Sequence, residues 1–387
     1  MHISDSIRYV GVDDKDIDLF EGQFAVPAGM AYNSYVIVDD KIAVLDSVDD
    51  RFGDAWLTNV TAACAGRTPD YLVVHHMEMD HSSNIKRFVE RFPEAKIVSS
   101  KMAFSMMKNM FGTDFADRQL VVSENATLAL GAHTLTFIGA PQVHWPEVLM
   151  SYESTEKVLF SADAFGKFGA NDYDDPEGWA CEARRYYFGI VGKFGVQTQA
   201  VLKKAAALDI QTICSLHGPV LTGADVAEAM RLYGIWSSYG VESDGVTIAY
   251  TSVYGHTRQA AEKLAALLRE KGVPKVALDD LARDDTYECI EDAFRYGKLV
   301  LATTTYNGGI FPAMREFIEH LVERGYQNRT IACIENGSWA PQAAKAMAAL
   351  FSESKNLTLL EPKVTIKIAL NGESEQQLAA LADALLA

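Results

Sequence analysis

Cysteine is scarce in this 387-residue chain: there are five, and no two are spaced as CxxC. That spacing excludes a thiolate module of the zinc-ribbon kind, and the odd, scattered set argues against a disulfide framework and for a reducing compartment. Long apolar runs are also missing; none approaches the roughly 20 residues needed to span a bilayer. The first residues, MHISDSIRYVGVDDKDIDLFEG, carry acids where an export leader would carry a basic start and an apolar stretch. A cytoplasmic protein, with no membrane partner, is the expectation. Positive charge is in deficit, 35 Lys and Arg against 52 Asp and Glu, for a net charge of -17. Such a field repels nucleic acid and anionic lipid, so neither is an expected partner. Any anionic cofactor would have to be held locally, by backbone amides. No solenoid-type repeat or low-complexity tract is present.

What is present is a normal globular balance, 49% apolar and 22% charged, in a chain too long for one ordinary core. Two domains are expected, divided at residues 1–245 and 246–387. In the first, short β-branched runs such as SYVIVDD, KIAVLDSV, YLVVHH, KIVSS, LTFIGA and KVLFSADA read as strands, with helices at NIKRFVERF and QTQAVLKKAAAL. A hairpin is expected across Gly131–Ala132. The second domain alternates strand and helix. VTIAYTS, KLVLATTT, TIACIENG and VTIKIAL are each followed by an amphipathic helix, which implies βαβ crossovers and a doubly wound parallel sheet. The stretch YGVESDG reads as the linker.

The densest chemistry lies in His76-Met77-Glu78-Met79-Asp80-His81, directly after the apolar strand around Tyr71–Val74. If that segment is extended, His76, Glu78 and Asp80 point to one side, and a turn must supply His81. Four potential ligands in six residues point to a metal. Three more candidates sit at strand-to-loop junctions: His144 in APQVHWPE, Asp163 in LFSADAFG and His217 in CSLHGPV. Taken singly, each has a plain reading, as a core histidine, a turn cap and a residue ahead of a Gly-Pro turn. His75 stands outside the run and reads as structural.

A second constellation opens the second domain. Thr251-Ser252-Val253-Tyr254-Gly255-His256-Thr257 lies between a strand and a helix, where amides, hydroxyls and a helix N-terminus can surround a phosphate. An N-cap role for Thr257 is the simpler reading of that residue. Two further loops, Thr303-Thr304-Thr305-Tyr306-Asn307-Gly308-Gly309 and Asn336-Gly337-Ser338-Trp339, follow strands at the end where open parallel sheets bind ligands. Each combines small residues with an aromatic suited to stacking on a flat ring.

Taken in order, the metal candidates resemble the metallo-β-lactamase fold, an αββα domain whose dinuclear site uses an HxHxDH run, a later histidine, a bridging aspartate and a final histidine. Here Glu78 replaces the second histidine, making the set more oxygen-rich and closer to non-haem iron chemistry than to zinc. That HxExDH version is similar to the flavodiiron proteins. The second domain resembles flavodoxin, and its TYNGGIFPAM is similar to the version found in flavodiiron proteins, where a second Asn often stands at the place of Gly308.

The resemblance implies two irons, one held by His76, Glu78 and His144 and the other by Asp80, His81 and His217, with Asp163 bridging. It also implies one FMN, and a reductase passing electrons from an external donor, with rubredoxin expected, to O2 or NO. Tyr32 and Trp145 are the expected pocket residues. A minimal two-domain class without a rubredoxin extension is implied, as a head-to-tail homodimer or dimer of dimers. A zinc hydrolase with a fused flavodoxin domain, or a pure electron carrier, are the rival readings.

Overall fold

Strands of the first unit are short because polar turns punctuate their apolar runs every few residues. The computed structural model describes residues 2–173, 175–176 and 178–387. It divides the chain into two units, Met1–Gly234 and Ile235–Ala387. The expected boundary after residue 245 lies inside the strand Ser243–Tyr250 of the second unit. The stretch read as a linker is tied into that unit earlier: the buried Arg329 guanidinium donates to the carbonyls of Tyr239 and Gly240, each at 2.8 Å.

The first unit holds two six-stranded sheets. One runs in the order Ile7–Tyr9, Tyr35–Val38, Ile42–Leu45, Tyr71–Val73, Lys96–Ser99, Gln119–Val121; the other runs in sequence order from Thr127–Ala129 to Leu221–Thr222. Their facing sides share one core, in which Ile37, Ala43, Leu45, Val73 and Val98 meet Leu135, Phe137, Leu149, Val158 and Phe160. Val36, Val44, Leu72 and Ile97 alternate with those residues and are also fully buried. A strand buried on both faces needs a helical layer outside it. The helices Gly53–Ala63 and Ile85–Arg91 supply part of that layer, with the Trp56 and Phe88 rings 5.9 Å apart. The expected hairpin is present: Thr127–Ala129 pairs antiparallel with Thr134–Gly139 across Gly131–Ala132.

In the second unit the parallel sheet runs Val276–Asp280, Ser243–Tyr250, Tyr296–Tyr306, Thr330–Asn336, Val364–Ile366. By chain order this is 2-1-3-4-5, the flavodoxin-like arrangement. Val276–Asp280 and its following helix Thr286–Arg295 are the βα pair that the sequence pattern did not single out. It is an edge strand, mostly half-buried, so its apolar signal is weak. Leu264, Leu268, Leu378 and Leu381, from the helices His256–Glu270 and Gly372–Leu386, pack on one face against Ile248, Val300 and Ile334. Strand Tyr296–Tyr306 ends in a tight hairpin to Gly309–Ile310, with φ of 50° at Asn307 and 75° at Gly308. Two successive left-handed residues are what a two-residue hairpin turn requires, and Asn-Gly suits it. Gly308 therefore has a backbone reason of its own. Among the described residues, no helix is long and apolar enough to cross a membrane.

Candidate metal centre and phosphate-binding cleft

All seven candidate ligands lie in the segments that follow first-unit strands, and they assemble into two groups. His76, Glu78, His144 and Asp163 form one; Asp80, His81 and His217 form the other, and within each group a ligand atom of every member lies within 4.8 Å of the rest. Asp163 reaches both. Its Oδ2 is 3.0 Å from His144 Nε2 and 3.5 Å from His76 Nε2, while Oδ1 is 3.7 Å from His81 Nε2 and 3.9 Å from His217 Nε2. One carboxylate with an oxygen toward each group is the geometry of a bridge.

The extended reading of the HxExDH run needs correction. Glu78 is the last extended residue (φ −60°, ψ 145°), and Met79–Ser82 is a single helical turn. The turn carries Asp80 and His81 away from His76 and Glu78 and into the second group. Main-chain bonds from His81 and Ser82 to the Glu78 carbonyl, and Ser82 Oγ donating to Met77 O, stabilise it. Strand alternation therefore does not align Asp80 with Glu78.

The residues fit metal ions on three counts. First, Asp80 Oδ1 and Oδ2 and Asp163 Oδ1 are buried without a hydrogen-bond partner, and bare buried carboxylate oxygens cost several kcal/mol unless a cation faces them. Second, His81 Nε2 and His217 Nε2 lie 3.0 Å apart. His217 Nδ1 must donate to the Ala31 carbonyl at 2.8 Å, so its Nε2 presents a lone pair. Third, the charges are mutually strained. Burial, then Glu78, pushes the Asp80 carboxyl well up, and burial, then His217, pushes His81 well down. Burial would raise Glu78, but hydrogen bonds from His144 and His76 hold it down at about 2. For His144 burial acts downward, and bonds to Asp163 and Glu78 lift it to about 9. A pair of divalent cations satisfies all of these groups at once.

His75 takes no part. Its Nδ1 meets Asp46 and its Nε2 meets Ser151 Oγ at 2.8 Å, which ties the two sheets together beside the site. Tyr32 and Trp145 both line a cleft of about 240 Å³ over the groups, with Phe20, Glu21, Asp49 and Arg51. Sequence reasoning missed two buried residues. Glu147 accepts from His76 Nδ1 at 2.9 Å; a carboxylate three residues after His144 was the available signal. Tyr186 packs on His217, ring centres 5.4 Å apart, and its hydroxyl is buried without a partner; no local motif announces it.

The second unit presents a cleft of about 430 Å³ at the ends of its strands. Ser252, Val253, Tyr254, His256 and Thr257 line it from the first loop, Thr304, Thr305 and Tyr306 from the second, and Asn336, Gly337 and Ser338 from the third. Ile368 completes it from a fourth loop that the sequence reading missed; Asn336 holds that loop through both backbone groups of Ile368. Thr251 and Thr303 lie beneath, buried and bonded to each other at 2.6 Å. Asn307, Gly308 and Gly309 belong to the hairpin, and Trp339 is 90% exposed beyond the lining residues.

Thr257 is not the N-cap. Gly255 is, at φ 90° and with no side-chain cap. The first amides of a fifteen-residue helix are thus left for a ligand, and without a Cβ at Gly255 the loop can take its left-handed turn. His256 Nδ1 and Thr304 Oγ1, both on the cleft, are buried without partners. A phosphate at the helix start and a polar ring in the cleft fit these donors.

Fold and site together define a metallo-β-lactamase-like domain followed by a flavodoxin-like domain. Residues 30–218 match the ODP family beta lactamase, and residues 247–365 match the flavodoxin domain family. The nitric oxide reductase of Moorella thermoacetica is 28% identical over 384 residues, covering 97% of this chain and 95% of its own. Among solved structures, rubredoxin oxygen:oxidoreductase from Desulfovibrio gigas superposes with a TM-score of 0.92 at 25% identity, over 100% of this chain and 98% of that one. The flavodiiron protein of Giardia intestinalis gives 0.92 at 27% identity, over 98% and 94%. The likeness to these reductases and to the flavodiiron protein thus runs through both domains and nearly the whole chain.

Proposed function

We propose that this chain is a reductase that carries two non-haem irons and one FMN and delivers electrons from an external donor to O2, NO or both. The observation that carries this reading is the pair of ligand groups sharing Asp163, with Glu78 where a zinc hydrolase would hold a nitrogen donor, in one chain with a phosphate-binding cleft. The irons would be held by His76, Glu78 and His144 on one side and by Asp80, His81 and His217 on the other, with Asp163 bridging. When bound, FMN would supply storage of an electron pair and the irons one-electron chemistry toward a diatomic substrate.

The chain's own residues do the rest. His217, fixed by the Ala31 carbonyl, and His76, fixed by Glu147, present their Nε2 atoms inward without a rotamer search. Tyr32 and Trp145 wall the cleft over the two ligand groups, and its volume of about 240 Å³ suits a small substrate. In the second unit, the uncapped helix start would hold the phosphate, and the residues of the second and third loops that line the cleft would hold the ring. We assign rubredoxin as the electron donor and a head-to-tail homodimer as the working assembly, both supported by the family resemblance, and the cytoplasm as its place, supported by the few, unpaired cysteines.

The test is metal and flavin analysis of the purified chain, followed by anaerobic consumption of NO and O2 with a reduced donor. Two irons and one FMN per chain, with turnover of either gas, is the expected result. Two zincs after growth in iron-replete medium, without turnover, overturns the reading.

A further inference from the structure

The two metal positions have matched ligands. Each has two imidazoles, one carboxylate of its own (Glu78 or Asp80) and one oxygen of Asp163. What differs lies behind the imidazoles. His217 donates its Nδ1–H to a neutral carbonyl, that of Ala31, at 2.8 Å. His81 Nδ1 is buried and has no partner. His76 alone of these three has a carboxyl group behind it: Glu147 Oε1 lies 2.9 Å from Nδ1 and also accepts the Met77 amide at 2.8 Å. The Glu147 side chain is fully buried, and its Oε2 has no partner.

Fixing one imidazole would need only a neutral acceptor, as Ala31 shows. A buried carboxylate with one bare oxygen is costly to carry unless positive charge stands nearby. Accepting the Nδ1–H also pushes electron density through the ring to Nε2 and makes the ligand more basic. In a buried site that effect is poorly screened.

We propose that Glu147 makes the two positions unequal: the iron held by His76, Glu78 and His144 is the harder of the two to reduce, so the half-reduced pair keeps its ferric ion there. Glu147 is a positioning residue that acts through His76. The inference rests on the diiron reading above.

Glu147→Gln tests it, because glutamine can keep both hydrogen bonds while removing the charge. The full chain, loaded with 57Fe, is titrated redox-wise and followed by Mössbauer spectroscopy beside the parent protein. Expected are an unchanged iron content, a lower of the two reduction steps that moves upward toward the other, and a half-reduced spectrum no longer confined to one ferric position. Glu147→Asp, which retains a carboxylate, should bring the steps apart again. Parental potentials and spectrum in an iron-replete Glu147→Gln protein overturn the proposal, as does loss of one iron with the remaining step unshifted, which would make Glu147 a prop only. A parent protein that holds no iron pair would instead overturn the functional reading itself, and its own metal content tells the two failures apart.

Discussion

Beyond the strand ends of the first unit, seven side chains place four imidazoles and three carboxylates in a largely buried cluster. At the strand ends of the second, the cleft is lined by threonine, serine, glycine and asparagine, with exposed aromatics such as Tyr254 and Trp339 at its edge. The first site is made of charge that a cation would balance; the second is made of backbone amides and neutral hydroxyls. Their ligands explain the contrast. A metal ion repays the burial of carboxylates, whereas a phosphate on a chain of net charge -17 can be held only where helix amides overcome the general field. Loss of a single side chain should therefore damage the first site far more than the second.

The largest test of that contrast is Asp163→Ala. Removing the one carboxylate that faces both groups should weaken metal binding by more than about 100-fold and leave flavin content unchanged, read by elemental analysis and flavin absorbance. Retention of two irons would show that the bridge is dispensable. Glu78→His should come next: a nitrogen-rich set shifts the bound metal toward zinc and abolishes gas turnover. Two irons with full activity in that variant would remove Glu78 from the account of metal choice.

On the other side of the comparison, Trp339→Ala should lower FMN affinity by about 1 kcal/mol, roughly fivefold, without changing iron content. Concurrent loss of iron would contradict the separation of the two sites. The smallest effect concerns the second unit's edge strand, where burial, then Asp292, pushes the Asp279 carboxyl up to about 7. The folded chain holds this proton more tightly than an unfolded aspartate, which titrates near about 3.9. Its contribution to stability is thus complete below that value and lost as pH rises through about 7. Asp279→Asn should raise the melting temperature above pH 7 and flatten its pH dependence; an unchanged pH profile would assign the dependence elsewhere.

The elements legible beforehand are those whose signal is local. The strand Ile42–Leu45 and the helix His256–Glu270 announce themselves by periodicity, and the HxExDH run by residue type. Val276–Asp280 escaped because a half-buried edge strand need not be apolar. The helical turn at Met79–Ser82 escaped because a four-residue helix has too few residues to show a period. It forms here because neighbouring segments hold it, with Ser47 donating through both its amide and its hydroxyl to the His81 carbonyl.

By itself, then, the order of residues determined which side chains could hold metal, where a phosphate loop would open a parallel sheet, and that both occur in one acidic chain. Each is a matter of composition and spacing along a few residues. Only the tertiary structure decided that Asp163 faces both ligand groups, that Asp80 parts company with Glu78, that Glu147 stands behind His76, and that Ile368 closes the cleft. Those relations join residues 19 to 87 positions apart or hang on a turn too short to read, and it is the packing of sheets and loops that brings them together.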